Sequence, residues 1–225
     1  QYLPIDIATY VLEYKVLESF IEDGNSKLRI LLGAMPKDIV ASHYEWLESC
    51  GLNPVFMDMH SNALEKLVNS VANENLYAVS KTTAYVDFGH GIIDISLFEK
   101  EHYKFNRLLK MGGAGFDDVL MRHLEIPLDE AESRKKKTSI LAIQKAYNNL
   151  ENSTEAMGDV KNNVVRETMQ YMNECMDEMD KVFKYYTSRS ADNKIDQIYV
   201  YGGGSQFKEL PELFKERFGI PTDVM

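Results

Sequence analysis

The sequence predicts an α/β fold interrupted by one all-helical insertion. Apolar runs of strand length alternate with amphipathic helical stretches along most of the chain. Residues 129 to about 190 carry helical periodicity and no strand pattern. Glycine-rich turns fall where strands meet turns or helices, at 87–91, 112–115 and 202–205. Strands alternating with helices are the signature of the α/β class.

The elements follow in order. Tyr10–Leu17 and Leu28–Ala34 are rich in Val, Ile, Leu and Tyr and flank the turn residues Asp23-Gly24-Asn25, so they read as two strands and a loop. Pro36 opens a helix, where its missing N–H costs nothing, and Gly51 closes it. Ile39, Val40, His43, Trp46, Leu47 and Cys50 form one face of that helix. Val55–Met59 is predicted as a strand and Ala63–Val71 as a helix with Leu64, Leu67, Val68 and Val71 inward. Ala84–Asp87, Ile92–Phe98 and Tyr103–Leu109 are three successive strands, and a helix is expected from about Phe116 to Leu124, with Pro127 marking the break after it. The longest helix carries Val165, Met169, Met172, Met176, Met179, Phe183 and Tyr186 at alternating spacings of four and three. Such a seam serves either a core helix or a homodimeric coiled coil, and methionine specifies oligomer state poorly. Gln197–Tyr201, Pro211–Phe218 and Ile220–Val224 complete the pattern as strand, helix and strand.

With 225 residues the chain can bury a sizeable core, as one large domain or two modest ones. Its formal net charge of −10 argues against a nucleic-acid surface, which needs clustered Lys and Arg. The basic run Arg134-Lys135-Lys136-Lys137 lies beside Asp129, Glu130 and Glu132 and is expected to form a solvated face. No apolar run approaches the roughly 20 residues that span a bilayer, and no signal peptide is visible. Cys50 and Cys175 are expected to be reduced thiols, and the five histidines show no pairing at ligand spacing, so a zinc site is not expected. The chain begins at Gln1 without methionine and stops within a predicted strand, so it is expected to be an excerpt.

The glycine loops carry the chemistry. Asp87-Phe88-Gly89-His90-Gly91 joins two antiparallel strands. Glycines there expose backbone N–H groups to phosphate oxygens, or simply make a tight hairpin. Asp87 is placed to hold Mg²⁺ through water. Gly202-Gly203-Gly204-Ser205, between a strand and a helix, permits close approach of a flat ligand or a phosphate, or is a flexible connection. Gly112-Gly113 before a helix is a third such loop, or a plain helix-entry turn.

The order of these loops resembles the second half of proteins of the actin, hexokinase and Hsp70 superfamily. Val86-Asp87-Phe88-Gly89 is similar to its second phosphate motif, Met111-Gly112-Gly113-Ala114-Gly115-Phe116-Asp117 to the glycine pair after the third strand, and Tyr201–Ser205 to the adenosine motif. Gln1-Tyr2-Leu3-Pro4-Ile5, Leu31–Pro36 with Trp46-Leu47 and Gly51-Leu52-Asn53-Pro54-Val55, and Asp58 with Ala63-Leu64 resemble the PilM family, FtsA-like proteins of type IV pilus assembly. Glu178-Met179-Asp180-Lys181 is similar to the family's helix before the adenosine motif, whose basic residue lies near the nucleotide.

The resemblance implies an actin-like ATPase fold and a site for ATP and Mg²⁺ made by Asp87, Gly89, His90, Gly91, Gly112, Gly113, Lys181, Gly202, Gly203, Gly204 and Ser205. The first phosphate loop and the closing helix and strand after the adenosine motif would lie outside this sequence. Gly91, Ile92 and Ile93 stand where relatives place small hydroxyl residues, which implies at most weak ATPase activity and no confident catalytic residue. Implied domains are a partial FtsA/PilM-type subdomain over 1–52, the rest of a first lobe over 53–83, second-lobe strands over 84–116, a helical subdomain over 117–194 and the adenosine motif over 195–225. The implied partners are a PilN-like cytoplasmic tail and other pilus assembly proteins, at the inner face of the cytoplasmic membrane. A homo-oligomer stays open as well: if strands upstream of the first subdomain are missing, its exposed sheet edge invites pairing, and a dimer formed that way would be an artefact of truncation. Two alternatives stay open at this point: an interaction module with a decayed nucleotide site, and a kinase of the same superfamily.

Overall fold

The computed structural model describes residues 5–72, 81–100, 102–152 and 159–225. The chain forms two compact units, Gln1–Ala63 and Leu64–Met225.

The first unit is built on a long antiparallel ribbon, β1 (Tyr10–Glu22) and β2 (Asn25–Pro36). Asp23 and Gly24 both take left-handed φ values, +52° and +73°, which is the two-residue turn whose twist suits a hairpin. Helix α1 (Lys37–Ser49) follows directly, and Gly51 lies just past its end at φ +76°. Two expectations are corrected here. The helix face predicted from periodicity is not buried: Ile39, His43, Trp46 and Cys50 are exposed, and Val40, Tyr44 and Leu47 are the half-buried positions. A two-stranded ribbon offers too narrow a surface to cover a whole helix stripe. Nor is Val55–Met59 a strand; a strand exists only by pairing, and the sheet of this unit contains β1 and β2 alone among the described residues.

The second unit holds a five-stranded sheet in the order β5-β4-β3-β6-β7, from β3 (Thr82–Phe88), β4 (Ile93–Glu99), β5 (His102–Leu109), β6 (Gln197–Tyr201) and β7 (Thr222–Val224). The first three form an antiparallel meander, whereas β3–β6 and β6–β7 are parallel. The long crossover from β5 to β6 contains α3 (Gly113–Leu124), α4 (Leu128–Lys137), α5 (Ile140–Glu151) and α6 (Val160–Thr187); α7 (Leu210–Phe218) connects β6 to β7. Every residue of β4 from Ile93 to Phe98 is buried, which follows from a sheet covered on both faces.

On one face lies the main core: Val86, Phe88, Ile95 and Val200 of the sheet against the methionine seam of α6 and Leu213 and Phe214 of α7. Met169, Met172, Met176, Met179, Phe183 and Tyr186 are all buried and Val165 is half-buried, so the seam is occupied by the molecule's own core. The other face carries a smaller cluster of Tyr85, Phe98, Leu64 and Val68. The last two come from helix α2 (His60–Ala72). Leu67, expected inward, is 46% exposed, and the Val71 side chain lies outside the described residues.

Burial of Cys175 in the main core pushes its thiol up to about 12, and a hydrogen bond with Tyr171 offsets this only in part. Cys50 is exposed at the end of α1. Ellman's reagent is therefore expected to titrate one thiol rapidly in the native protein and the second only in denaturant; two fast native thiols would contradict this packing.

Candidate functional site

The glycine loops of the second unit meet at the end of the sheet. Strand β3 delivers Asp87 and Phe88 to the first loop, where the Gly89 N–H donates to the Ile92 carbonyl at 3.1 Å and closes the turn. A side chain at Gly89 would bring its Cβ within 2.6 Å of that carbonyl oxygen. The start of α3 then docks onto this turn: the Gly113 N–H donates to the Gly89 carbonyl at 2.9 Å and the Ala114 N–H to the His90 carbonyl at 2.7 Å. A Cβ on Gly112 would stand 2.6 Å and 2.7 Å from the same two carbonyl oxygens. The third loop closes from the β6 side. Gly202 has φ +79°, and a Cβ there would collide with the Asp87 carboxylate. One on Gly204 would strike the Phe88 ring and lie 2.6 Å from the Phe88 carbonyl oxygen.

Backbone meets backbone at these three segments, and that contact requires the glycines before any ligand is considered. It also engages the amides of Gly89, Gly113 and Ala114, while the Gly112 N–H donates to the Tyr171 hydroxyl at 3.0 Å. His90, Gly91, Gly202 and Gly203 are exposed, Gly89 and Ser205 half-buried, and Gly112, Gly113 and Gly204 buried. The Ser205 hydroxyl donates back to the Gly202 carbonyl at 2.8 Å. Lys181 is exposed on α6 and forms an ion pair with Glu178 on the same helix.

Register adds a carboxylate that motif reading passed over. Asp87 lies directly opposite Asp94 on β4 and beside Tyr201 on β6, and directly opposed residues share a sheet face. Burial first, and then the charges of Asp87 and Asp94, raise the Tyr201 phenol pKa. Register thus places two carboxylates on one sheet face at the loops, and hard oxygen donors of this kind fit the Mg²⁺ that the resemblance implies. Asp94 follows Asp87 by one hairpin, but no motif marks it, and it is the strand register that brings the two together.

Two further groups hold the loops from the helical side. The Tyr171 hydroxyl of α6 accepts from the Gly112 N–H and donates to the Gly112 carbonyl at 3.1 Å, with its ring filling the space a Gly115 side chain would need. Lys135 of α4 corrects the expectation of a fully solvated basic run. Arg134, Lys136 and Lys137 are exposed, but the Lys135 side chain is 11% exposed and its ammonium reaches the Asp117 carboxylate at 2.5 Å and the Gly113 carbonyl at 3.2 Å. Asp117 is itself 1% exposed.

A sheet ending in a hairpin loop, a glycine pair at a helix start and a glycine loop after the parallel strand, with a helical insertion between, defines the class: the fold is that of the actin-like ATPases. The chain matches the sequence pattern of the type IV pilus assembly protein PilM over residues 1–225. It belongs to the PilM family.

Solved structures agree on the fold. A PilM–PilN type IV pilus biogenesis complex contains a chain that matches with a TM-score of 0.74 at 18% identity, covering 100% of this chain and 58% of that one. The ethanolamine utilization protein EutJ from Carboxydothermus hydrogenoformans matches with a TM-score of 0.52 at 20% identity, over 85% of this chain and 57% of that one. At these identities the likeness is one of fold. The chain thus spans less than two thirds of the length of either. No curated protein is significantly similar to it in sequence. Among the described residues, no helix is long and apolar enough to cross a membrane.

Proposed function

We propose that this chain supplies one wall of an ATP site in a pilus assembly scaffold, and that the nucleotide state biases which surface the protein presents to its membrane-bound partner. The observation that carries this reading is the meeting of the three glycine loops around Asp87, with Gly202 against its carboxylate and the Gly112-Gly113 pair seated on the Gly89–His90 turn. In this arrangement His90, Gly91, Gly202, Gly203 and Ser205 face the nucleotide, and Asp87 with Asp94 holds Mg²⁺ through water. Lys181, exposed on α6, is the basic residue that the family resemblance assigns to the neighbourhood of the nucleotide.

The scaffold binds the nucleotide and turns it over weakly at most, because Gly91, Ile92 and Ile93 carry no hydroxyl to place beside a phosphate. A ligand shifts such an equilibrium only by its difference in affinity for the two arrangements. The protein partner is a PilN-like cytoplasmic tail, a reading that family membership and the PilM–PilN complex among the matched structures support. It acts at the inner face of the cytoplasmic membrane.

Calorimetric titration of Mg-ATP tests the site, into this chain and into a form extended to the length of the matched PilM. Binding by the extended form, abolished by Gly202→Val, is the expected result. A second reading, a decayed nucleotide site, draws on the loop amides already bonded within the protein. Failure of both forms to bind, with retained capture of a PilN tail peptide, would establish that reading instead.

A further inference from the structure

We propose that His90, Asp117 and Glu132 form a site for a borderline divalent cation, with Zn²⁺ as the best-suited occupant. Of its ligands only His90 also belongs to the proposed nucleotide wall, and the Asp87–Asp94 pair takes no part in it. The imidazole of His90, a carboxylate oxygen of Asp117 and one of Glu132 all lie within 4.8 Å of one another. The three come from the first glycine loop, α3 and α4, so no single motif announces them.

Asp117 is the decisive member. It is buried, and its Oδ2 is engaged by Lys135, with the His90 Nδ1 3.9 Å away. Its Oδ1 is also buried and has no hydrogen-bond partner. An interior carboxylate with half its acceptor capacity unused marks a place where an ion or water belongs. Two carboxylates, Asp117 and Glu132, stand against one ammonium, that of Lys135. One nitrogen and two oxygen donors select Zn²⁺ and its neighbours over Mg²⁺ and Ca²⁺, which prefer oxygen alone.

Ligand atoms around a tetrahedral zinc stand roughly 3.4 Å apart, from bond lengths of about 2.0–2.2 Å. The set must contract a little, and its outer members allow this: His90 is on an exposed loop and Glu132 is half-buried on α4, while Asp117 stays in place. Lys135 is the competitor. Its ammonium already serves as a tethered counter-charge, and its flexible stem permits it to swing toward solvent when a dication takes over. Bound metal would pin the β3–β4 turn to α4 and make the order of that turn depend on zinc supply.

Titration of ZnCl₂ into the chain, by calorimetry and by thermal unfolding, tests the proposal. One zinc per chain and a rise in Tm are expected for the wild type. His90→Ala and Glu132→Gln should each weaken binding about tenfold or more, since each removes one of three protein ligands. Lys135→Met removes the competing ammonium, so it should bind zinc more tightly than the wild type and gain more in Tm on zinc addition. Absence of stoichiometric binding in both the wild type and Lys135→Met overturns the site. So does binding that His90→Ala and Glu132→Gln leave unchanged, which would place the metal elsewhere.

Discussion

Replacing Phe88 by alanine is expected to cost about 3–5 kcal/mol of folding stability, the range for emptying a fully buried phenylalanine site. Phe88 is 0% exposed, and its ring lies 6.3 Å from those of Phe116, Phe207 and Phe214. These partners belong to α3, the segment after the third glycine loop, and α7, so the ring joins the elements that carry two of the loops to the strand that carries the other. Collapse around the vacancy is restricted, because Gly204 already rests on the ring and on the Phe88 carbonyl. Urea unfolding monitored by circular dichroism gives the loss directly. A Phe88→Leu change should cost much less, and a loss under about 1 kcal/mol for Phe88→Ala would mean that the three loops do not share this core.

Lys135→Met is the second large effect, with an expected loss of about 3–5 kcal/mol in metal-free buffer, because it strands the Asp117 carboxylate without a counter-charge. The pair differs in kind from the exposed ion pairs of this protein, such as Lys181–Glu178, whose side chains are 68% and 42% exposed and whose attraction is screened by water. Adding Asp117→Asn to Lys135→Met should recover most of the loss, since a neutral pair in the interior can equal or exceed a buried ion pair. A double-mutant cycle reads the coupling. A near-zero loss for Lys135→Met would return the residue to the solvated face that sequence patterning suggested.

That patterning had a reasonable basis. Arg134, Lys136 and Lys137 obey it, and nothing local separates Lys135 from them; its direction is set by a carboxylate on another helix, 18 positions earlier in the chain. The same limit explains α1. Its 3.6-residue periodicity identified a helix, but which stripe is covered depends on how much surface β1 and β2 present, and a two-stranded ribbon presents little. Val55–Met59 had the composition of a strand and lacks a ladder, because pairing is a property of two segments.

What the sequence determined by itself was local. The α/β alternation, the hairpin turns, the glycine positions and the α6 methionine seam each follow from backbone preference or from a repeat matched to a single element. What only the tertiary structure decided is the set of meetings: Asp94 opposite Asp87, Gly202 against that same carboxylate, Tyr171 bonded to both ends of the Gly112 peptide unit, and Lys135 turned toward Asp117. The physical reason is that a residue's conformational tendency is written in its own chemistry and its near neighbours. The partner that meets its charge or hydrogen bond is chosen by the packing of sheet and helices, which brings together residues from distant parts of the chain.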